Sequence, residues 1–203
     1  MKTETRSEGV SGFTSRISRG VPAVIITFSF FLSAFLINTR PFGLAELKVI
    51  TGGPGIPDMA LFYTPATLSP IIEALGPGGR DFYLTRIIPL DLLFPLCYTL
   101  FFMVVLFRLM ECLEVSKSRW TFLLFIPILA GTADYAENLC FLSILLTYPD
   151  HLTGVASIAS LFSGIKWICT PACFLLILLM TAGWVKKRFV PVLYRVSHLL
   201  LPR

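Results

Sequence analysis

Four charged side chains lie inside long apolar stretches of this chain. They are three carboxylates and one ammonium group, at Asp91, Asp134, Glu137 and Lys166. Charged residues are costly inside a bilayer, and where they occur in membrane helices they mark ion pathways, ligand sites and proton relays. We therefore take these four residues as candidate catalytic residues.

The positions of these residues along their apolar stretches indicate a common depth. With a rise of about 1.5 Å per residue, Asp91, Glu137 and Lys166 lie about 14–16 Å from one end of their helices. Asp134 lies deeper, at about 21 Å. Because successive helices alternate in direction, these distances refer to the same side of a bundle, and the charges are expected to meet there.

Helical spacing predicts which neighbours join the charged group. Asp134, Glu137 and Asn138 share one helical face, and Asp91 shares another with Tyr98, seven residues later. Asn138 and Tyr98 are therefore candidate ligand-binding residues. The last apolar stretch carries a similar polar stripe, formed by Ser163, Lys166, Thr170 and Cys173.

The charges of this group do not cancel, since three carboxylates face one lysine. Burial and close like charges both disfavour ionised carboxyls, so we expect Glu137 or Asp134 to be protonated at neutral pH. A protonated carboxyl could act as general acid, and ionised Asp91 as base or electrostatic stabiliser. Lys166 could hold an anionic or carbonyl group. The competing interpretation is a lysine–carboxylate network that only fixes helix packing.

The elements that must position these side chains are membrane helices. Apolar residues make up 55% of the chain and charged residues 14%, which is too apolar for an ordinary soluble domain. Four stretches approach or exceed the roughly 20 apolar residues that a span requires, at 21–37, 84–107, 120–146 and 155–185. The sequence therefore predicts an all-α membrane protein, a four-transmembrane-helix bundle with an ordered extracytoplasmic cap loop.

The distribution of basic residues predicts the orientation of the bundle. With the N-terminus in the cytoplasm, twelve of the seventeen Lys and Arg residues fall on the cytoplasmic side. We therefore expect an integral, multi-pass membrane protein whose N- and C-termini are both cytoplasmic. Membrane topology accounts for the net charge of +5, so no nucleic-acid partner is expected.

The chain divides into a membrane domain and two flanking segments. Residues 1–19 are polar and are expected to be a disordered cytoplasmic N-terminus, while 20–185 form the membrane domain. Its 38–83 segment is the cap loop, in which Ser69-Pro70 is predicted to open a short helix. Residues 186–203 are predicted to form a basic amphipathic cytoplasmic tail, with a disordered tail as the alternative.

Motifs for metals and cofactors are weak. The two histidines stand apart in the sequence, and the glycine-rich turns lack the lysine of a phosphate-binding loop. Cys169 and Cys173 are one helical turn apart, but core packing explains them better than a metal. The odd number of cysteines argues against a disulfide framework. No cofactor and no metal are expected.

Several short motifs together resemble a family of four-helix integral membrane proteins of unknown activity. The resemblance covers about residues 20–185, and its motifs are Gly55–Asp58, Phe62–Pro65, Ala74–Arg80 with Tyr83, Asp91–Pro95 with Tyr98, Asp134–Asn138, and Lys166-Trp167. It implies an architecture and no reaction. It adds Asp58, Arg80 and Tyr83 as candidate ligand-binding residues, on the expectation that the cap loop closes over the buried charges.

Three functions are compatible with these observations. The favoured one is a membrane-embedded enzyme or a lipid- or small-ligand-binding protein. The alternative is a proton-coupled small-solute carrier, for which four helices imply a homo-oligomer. The third is a structural or assembly factor in which the charges merely hold helices together. The lipid bilayer is the partner common to all three.

Overall fold

The structure is a computed structural model that describes residues 2–53, 61–115, 120–150 and 152–200, with side chains described between residues 9 and 189 of those ranges. Within these ranges the regular elements are all helices. The predicted all-α class is therefore confirmed. Asp58, one of the candidate ligand-binding residues, lies outside the described residues.

Eight α-helices follow one another in the described residues. They are α1 (Lys2–Ile17), α2 (Gly20–Asn38), α3 (Leu44–Thr51), α4 (Pro65–Ala74), α5 (Gly76–Phe82), α6 (Ile88–Leu113), α7 (Phe125–Leu146) and α8 (Thr153–Leu200). A π-helical turn, Tyr83–Ile87, joins α5 to α6, and a 3-10 turn, Thr121–Leu124, leads into α7.

Three helical segments in the described residues are long and apolar enough to cross a membrane. They are Gly20–Asn38, Gly76–Leu113 and Thr153–Phe189. Their surfaces carry many exposed large apolar side chains, such as Phe28, Phe31 and Leu178. An apolar exterior of this kind suits a hydrocarbon solvent and is unusual in water. The structure thus supports the prediction of a membrane protein.

The long helices pack around α6. Helices α2, α7 and α8 each contact α6, and α7 and α8 also pack extensively against each other. Gly131 allows α6 and α7 to approach closely, because a β-carbon there would overlap Thr99 Oγ1 and lie 3.4 Å from the carbonyl oxygen of Pro95. This crossing brings the polar face of α7 against α6.

Apolar clusters close both ends of the helix assembly. At the end that we call the loop end, side chains of α3 and α4 pack with α6, α7 and α8 around Tyr63, Tyr83 and Phe141. At the opposite end, the α1 end, Val10 packs against a cluster formed by Leu106, Phe107, Met110, Leu123 and Leu124. The charged residues lie between these clusters.

The N-terminal segment differs from the disorder that we expected for residues 1–19. It forms α1, which packs against α6 and the 3-10 turn. Val10 joins the α1-end cluster and Thr14 is fully buried, so apolar contact stabilises a segment whose polar composition suggested disorder. Arg19 also forms an ion pair with Glu111 of α6.

The tail beyond residue 185 continues α8 without a break as far as Leu200. A contact with the end of α6 helps to stabilise this continuation of the helix. Lys187 Nζ lies 2.9 Å from Glu114 Oε2 and donates a hydrogen bond of 3.3 Å to the carbonyl oxygen of Leu113. The helix predicted for this segment is therefore an extension of the preceding one in the described residues.

The short helix of the 38–83 segment begins earlier than predicted. Its N-cap is Thr64 and its first residue is Pro65, so the predicted start at Ser69-Pro70 is wrong. Thr64 Oγ1 accepts a hydrogen bond from the backbone of Thr67, and Thr67 Oγ1 accepts one from the backbone of Thr64. This reciprocal cap satisfies two backbone donors, which Ser69 alone could not do.

Candidate functional site

A lysine of α8 and two carboxylates of α7 form an ion-paired cluster. Lys166 Nζ lies 2.7 Å from Glu137 Oε2 and 3.7 Å from Asp134 Oδ1. Glu137 is 0% exposed, Asp134 3% and Lys166 7%. The three-residue spacing on α7 places both carboxylates on the face that meets α8, as the sequence predicted. Removing one partner of such a buried pair would leave an uncompensated charge.

Asp134 also accepts hydrogen bonds from two neutral side chains. Tyr98 of α6 donates its hydroxyl to Asp134 Oδ2 at 3.1 Å, and Asn138 Nδ2 donates to Asp134 Oδ1 at 3.2 Å. Together with Lys166, these donors satisfy both oxygens of the Asp134 carboxylate. The predicted ligand-binding candidates Tyr98 and Asn138 are therefore part of the cluster and orient its central carboxylate.

A proline explains how Asp91 joins the cluster through its backbone. Pro95 has no N–H, so the carbonyl oxygen of Asp91, four residues earlier, lacks its usual helical donor. Asn138 Nδ2 donates to that oxygen at 2.8 Å. One turn of α6 is thus fastened to α7 by a side-chain amide. The neighbouring carbonyl of Leu92 accepts the Tyr135 hydroxyl at 2.7 Å.

The segment before α4 reaches the cluster from the loop end. Tyr63 donates its hydroxyl to Glu137 Oε1 at 3.2 Å, and its backbone N–H donates to Ser160 Oγ at 3.0 Å. The neighbouring Phe62 ring lies directly against Gly164 of α8, where a β-carbon would overlap it. Glu137 is therefore closed off by a residue of the 38–83 segment.

A cavity of about 210 Å³ lies beside the cluster. Three charged residues line it, at Asp91, Asp134 and Lys166. The rest of its wall is largely aromatic and comes mainly from α2, α6 and α8, with Phe30, Phe94, Tyr98, Phe102, Trp167 and Phe174. The cavity therefore combines a charged region with an apolar wall, which is the usual composition of small-molecule sites.

Thr170 supplies a further polar atom to the cavity wall. Helical threonines usually bond to the carbonyl four residues earlier, as seven others in the described residues do: Thr14, Thr27, Thr39, Thr51, Thr85, Thr132 and Thr147. The Thr170 hydroxyl is buried and has no hydrogen-bond partner among the described residues. A bound molecule could satisfy it.

The carboxylates of the cluster occupy two different environments. Asp91 and Asp134 line the cavity together with Lys166. Glu137 is not among the lining residues, and it contacts Tyr63 and Lys166 instead. The geometry thus suits Asp91 and Asp134 for contact with a ligand, and suits Glu137 for holding Lys166 in position.

The remaining described candidates from the sequence are Arg80 and Tyr83. Arg80 stacks over the Tyr148 ring, 3.9 Å from its centroid, and donates to the carbonyl oxygen of Ile72 at 3.3 Å. Tyr83 is buried in the loop-end cluster. Neither residue lines the cavity.

The cluster and the cavity also contain residues that the sequence did not identify as ligand-binding. They include Tyr63 and Ser160 of the cluster, and Trp167 and the four phenylalanines of the cavity wall. The phenylalanines are indistinguishable from lipid-facing ones by sequence. Tyr63 could have been identified from the sequence, because a tyrosine next to a helix N-cap in an apolar loop can direct its hydroxyl toward the protein interior.

The described residues hold no group of three or more His, Cys, Asp or Glu side chains placed to bind a metal ion. All five cysteines are free thiols. Comparison of the chain with known protein families, with curated proteins and with solved structures finds no match.

Proposed function

We propose that this chain is a multi-pass membrane protein that binds a lipid or a small lipophilic molecule in the cavity between α2, α6 and α8. The observation that carries the proposal is the cavity wall itself, in which Asp91, Asp134 and Lys166 adjoin a largely aromatic surface. A ligand with one polar group and an apolar body matches both parts. A membrane supplies such molecules at high local concentration.

In this proposal α7 is a fourth transmembrane helix, although its composition is less apolar than that of the other three. It has 22 residues, which at about 1.5 Å each span about 33 Å, enough for the hydrocarbon core. Asp134, Glu137 and Asn138 lower its hydropathy, but all three are buried against α6, α8 and Tyr63. Lipid would therefore not meet them.

Both termini are cytoplasmic in the proposed topology, and the loop end faces the opposite side. The residues of 38–83, including α3, α4 and α5, then form the extracytoplasmic cap. Cysteine labelling tests this orientation in intact cells. With the other cysteines replaced, an impermeant maleimide is expected to label Asp150→Cys at the loop end and to spare the exposed Cys112 near the α1 end. The reverse labelling would overturn the topology.

The arrangement of the helices offers a route from the bilayer into the cavity. Helix α2 packs extensively against α6 and, in the described residues, has no comparable contact with α8. Both α2 and α8 nevertheless contribute to the cavity wall. We infer that a lipid chain enters between them, and that its polar group reaches the charged residues.

Binding explains features that a purely structural role does not. A network that only fastens helices needs no adjoining space, whereas here two carboxylates and a lysine border a cavity of about 210 Å³. The unpartnered Thr170 hydroxyl lies in the same wall. The pair of Lys166 and the fully buried Glu137 supplies the structural part of the network.

Native mass spectrometry of the full chain, released gently from its own membrane, tests the proposal. The wild type is expected to retain a small molecule or lipid, and Thr170→Phe is expected to lose it because the larger ring fills the cavity. Thr132→Phe is the matched control, since Thr132 is exposed on α7. A Thr170→Phe protein that keeps the same adduct, or a folded wild type without any adduct, would overturn the proposal.

A further inference from the structure

We infer that the ligand of this cavity is a lipophilic monocation, an alkyl- or arylammonium, and that anionic lipids and fatty acids are rejected. The inference rests on the proposed function, since it names the ligand class of the same cavity. It follows from three observations: the balance of buried charge, the state of Lys166, and the aromatic wall.

The balance of buried charge is negative. The buried carboxylates and cations of the described residues are Asp91, Asp134, Glu137 and Lys166, which sum to a formal charge of −2. If one carboxyl holds a proton, the sum is still −1. In a medium of low dielectric constant an added cation is attracted to this site, and an added anion is repelled by it.

Lys166 does not alter this conclusion, because its charge is already compensated. Its ammonium lies 2.7 Å from Glu137 and 3.7 Å from Asp134. An anionic head group at Lys166 would have to compete with the two carboxylates that its ammonium already contacts. A fatty acid or phosphate is therefore a poor ligand, although a lone buried lysine would have suggested one.

The aromatic wall suits a cation as well as an apolar body. Phe94 and Tyr98 meet edge to face with centroids 5.3 Å apart, and Phe102 and Phe174 do so at 4.9 Å. Trp167 lies in the same wall. Aromatic faces attract ammonium groups, and tryptophan does so most strongly. The Thr170 oxygen could accept one hydrogen bond from a primary ammonium.

The size of the cavity limits how much of the ligand it encloses. A volume of about 210 Å³ is below the ~300–1,000 Å³ of typical small-molecule pockets. That accommodates an ammonium group with a few methylenes or a single ring. The remainder of a longer chain would extend between α2 and α8 into the bilayer.

The test uses the full chain in nanodiscs of zwitterionic phosphatidylcholine and three probes of equal chain length. Dodecylammonium, dodecanol and dodecanoate differ only in the polar group. Each probe is added to the same bilayer concentration, and occupancy is measured by native mass spectrometry. The occupancy of Thr170→Phe is subtracted as the cavity-blocked background. The expected result is at least tenfold tighter binding of dodecylammonium than of dodecanoate, with dodecanol between them.

Substitution at Asp91 locates the source of the preference. Asp91→Asn is expected to reduce the ratio of ammonium to carboxylate binding, and Asp81→Asn, on the exposed surface of α5, is expected to leave it unchanged. Equal binding of the three probes, or tighter binding of dodecanoate to the wild type, would overturn the inference while leaving the proposed function intact. A wild type that binds no probe and retains no native molecule would overturn both.

Discussion

Tyr63 and Glu137 are 74 residues apart in the sequence and are joined by a hydrogen bond of 3.2 Å between the tyrosine hydroxyl and the carboxylate. The bond connects the segment before α4 with the middle of α7. It completes the enclosure of Glu137, whose other oxygen meets Lys166. The segment at the loop end is therefore part of the buried site and not only a covering over it.

Tyr63→Phe isolates this hydrogen bond, because the ring and its apolar contacts remain. Glu137 loses a buried donor, so we expect the free energy of unfolding to fall by about 1–3 kcal/mol. Tyr148→Phe is the control, since the Tyr148 ring that faces Arg80 is retained. Unfolding in detergent micelles measures both variants. Equal stability of the two variants would show that the Tyr63 hydroxyl contributes nothing specific.

The Glu137–Lys166 pair should show strong coupling in a double-mutant cycle. Lys166→Met leaves Glu137 buried without its cation, and we expect a loss of about 3–5 kcal/mol in the free energy of unfolding. Glu137→Gln should cost less, because Asp134 still compensates Lys166. The double variant should lose less than the sum of the two single losses. Additive losses would contradict a direct pairing.

Asn138 and Pro95 should be coupled in a different way. Asn138→Leu removes the donor to the Asp91 carbonyl, which Pro95 leaves without a helical partner, so a loss of about 1–3 kcal/mol is expected. In a Pro95→Ala background the restored N–H can bond that carbonyl, and the same substitution should cost less. The free energies of unfolding of the four proteins test this. An unchanged cost of Asn138→Leu in the Pro95→Ala background would refute the explanation.

A pH effect is expected at the α1 end. The hydrogen bond from Lys187, together with the attraction of its charge, lowers the pKa of Glu114 below its ordinary value. A carboxyl whose pKa is lower in the folded state stabilises that state above its unfolded pKa. This contribution is lost as the pH falls through the folded pKa. Glu114 is fully exposed, so the effect on stability is small.

The carboxyl carbon chemical shift of Glu114, followed as a function of pH, measures the pKa of Glu114 directly. Lys187→Met is expected to raise the pKa of Glu114 toward the ordinary glutamate value, whereas Lys186→Met should leave it unchanged. If Lys187→Met does not raise the pKa, the ion pair that fastens α8 to the end of α6 does not form in solution.

Helical periodicity and depth were sufficient to predict the core of the site. The sequence placed Asp134 and Glu137 on one face and put Lys166 at a matching depth, and the structure brings these three side chains together. The prediction succeeds because the depth of a side chain along a membrane helix is proportional to its residue number. The burial of Asp91 and Tyr98 follows from the same rule.

The contacts made by the loop-end segment could not be predicted in this way. Tyr63 reaches Glu137 only because the chain before α4 folds back onto α8, where Gly164 leaves room for Phe62. The sequence likewise did not predict that Arg80 stacks on the Tyr148 ring or that Tyr83 packs in the loop-end cluster. These outcomes depend on tertiary packing, which periodicity does not encode.

The helix starts show the limits of local signals. Ser69-Pro70 has the residue types of a helix start, yet Thr64-Pro65 is used because Thr67 completes a reciprocal cap. Residues 1–19 look disordered by composition, yet α1 packs Val10 against the end of α6. In the first case a contact three residues away outweighs the local preference for a helix start, and in the second a tertiary contact outweighs the local preference for disorder.

The most direct measurement is a crystal structure of the full chain grown from a lipidic mesophase that contains its native lipids. Our account predicts elongated density between α2 and α8 that ends in a polar group beside Asp91, Asp134 and Lys166. A collapsed cavity in which α2 closes against α8, or a cavity containing only water, would contradict the central claim that this site binds a molecule from the bilayer.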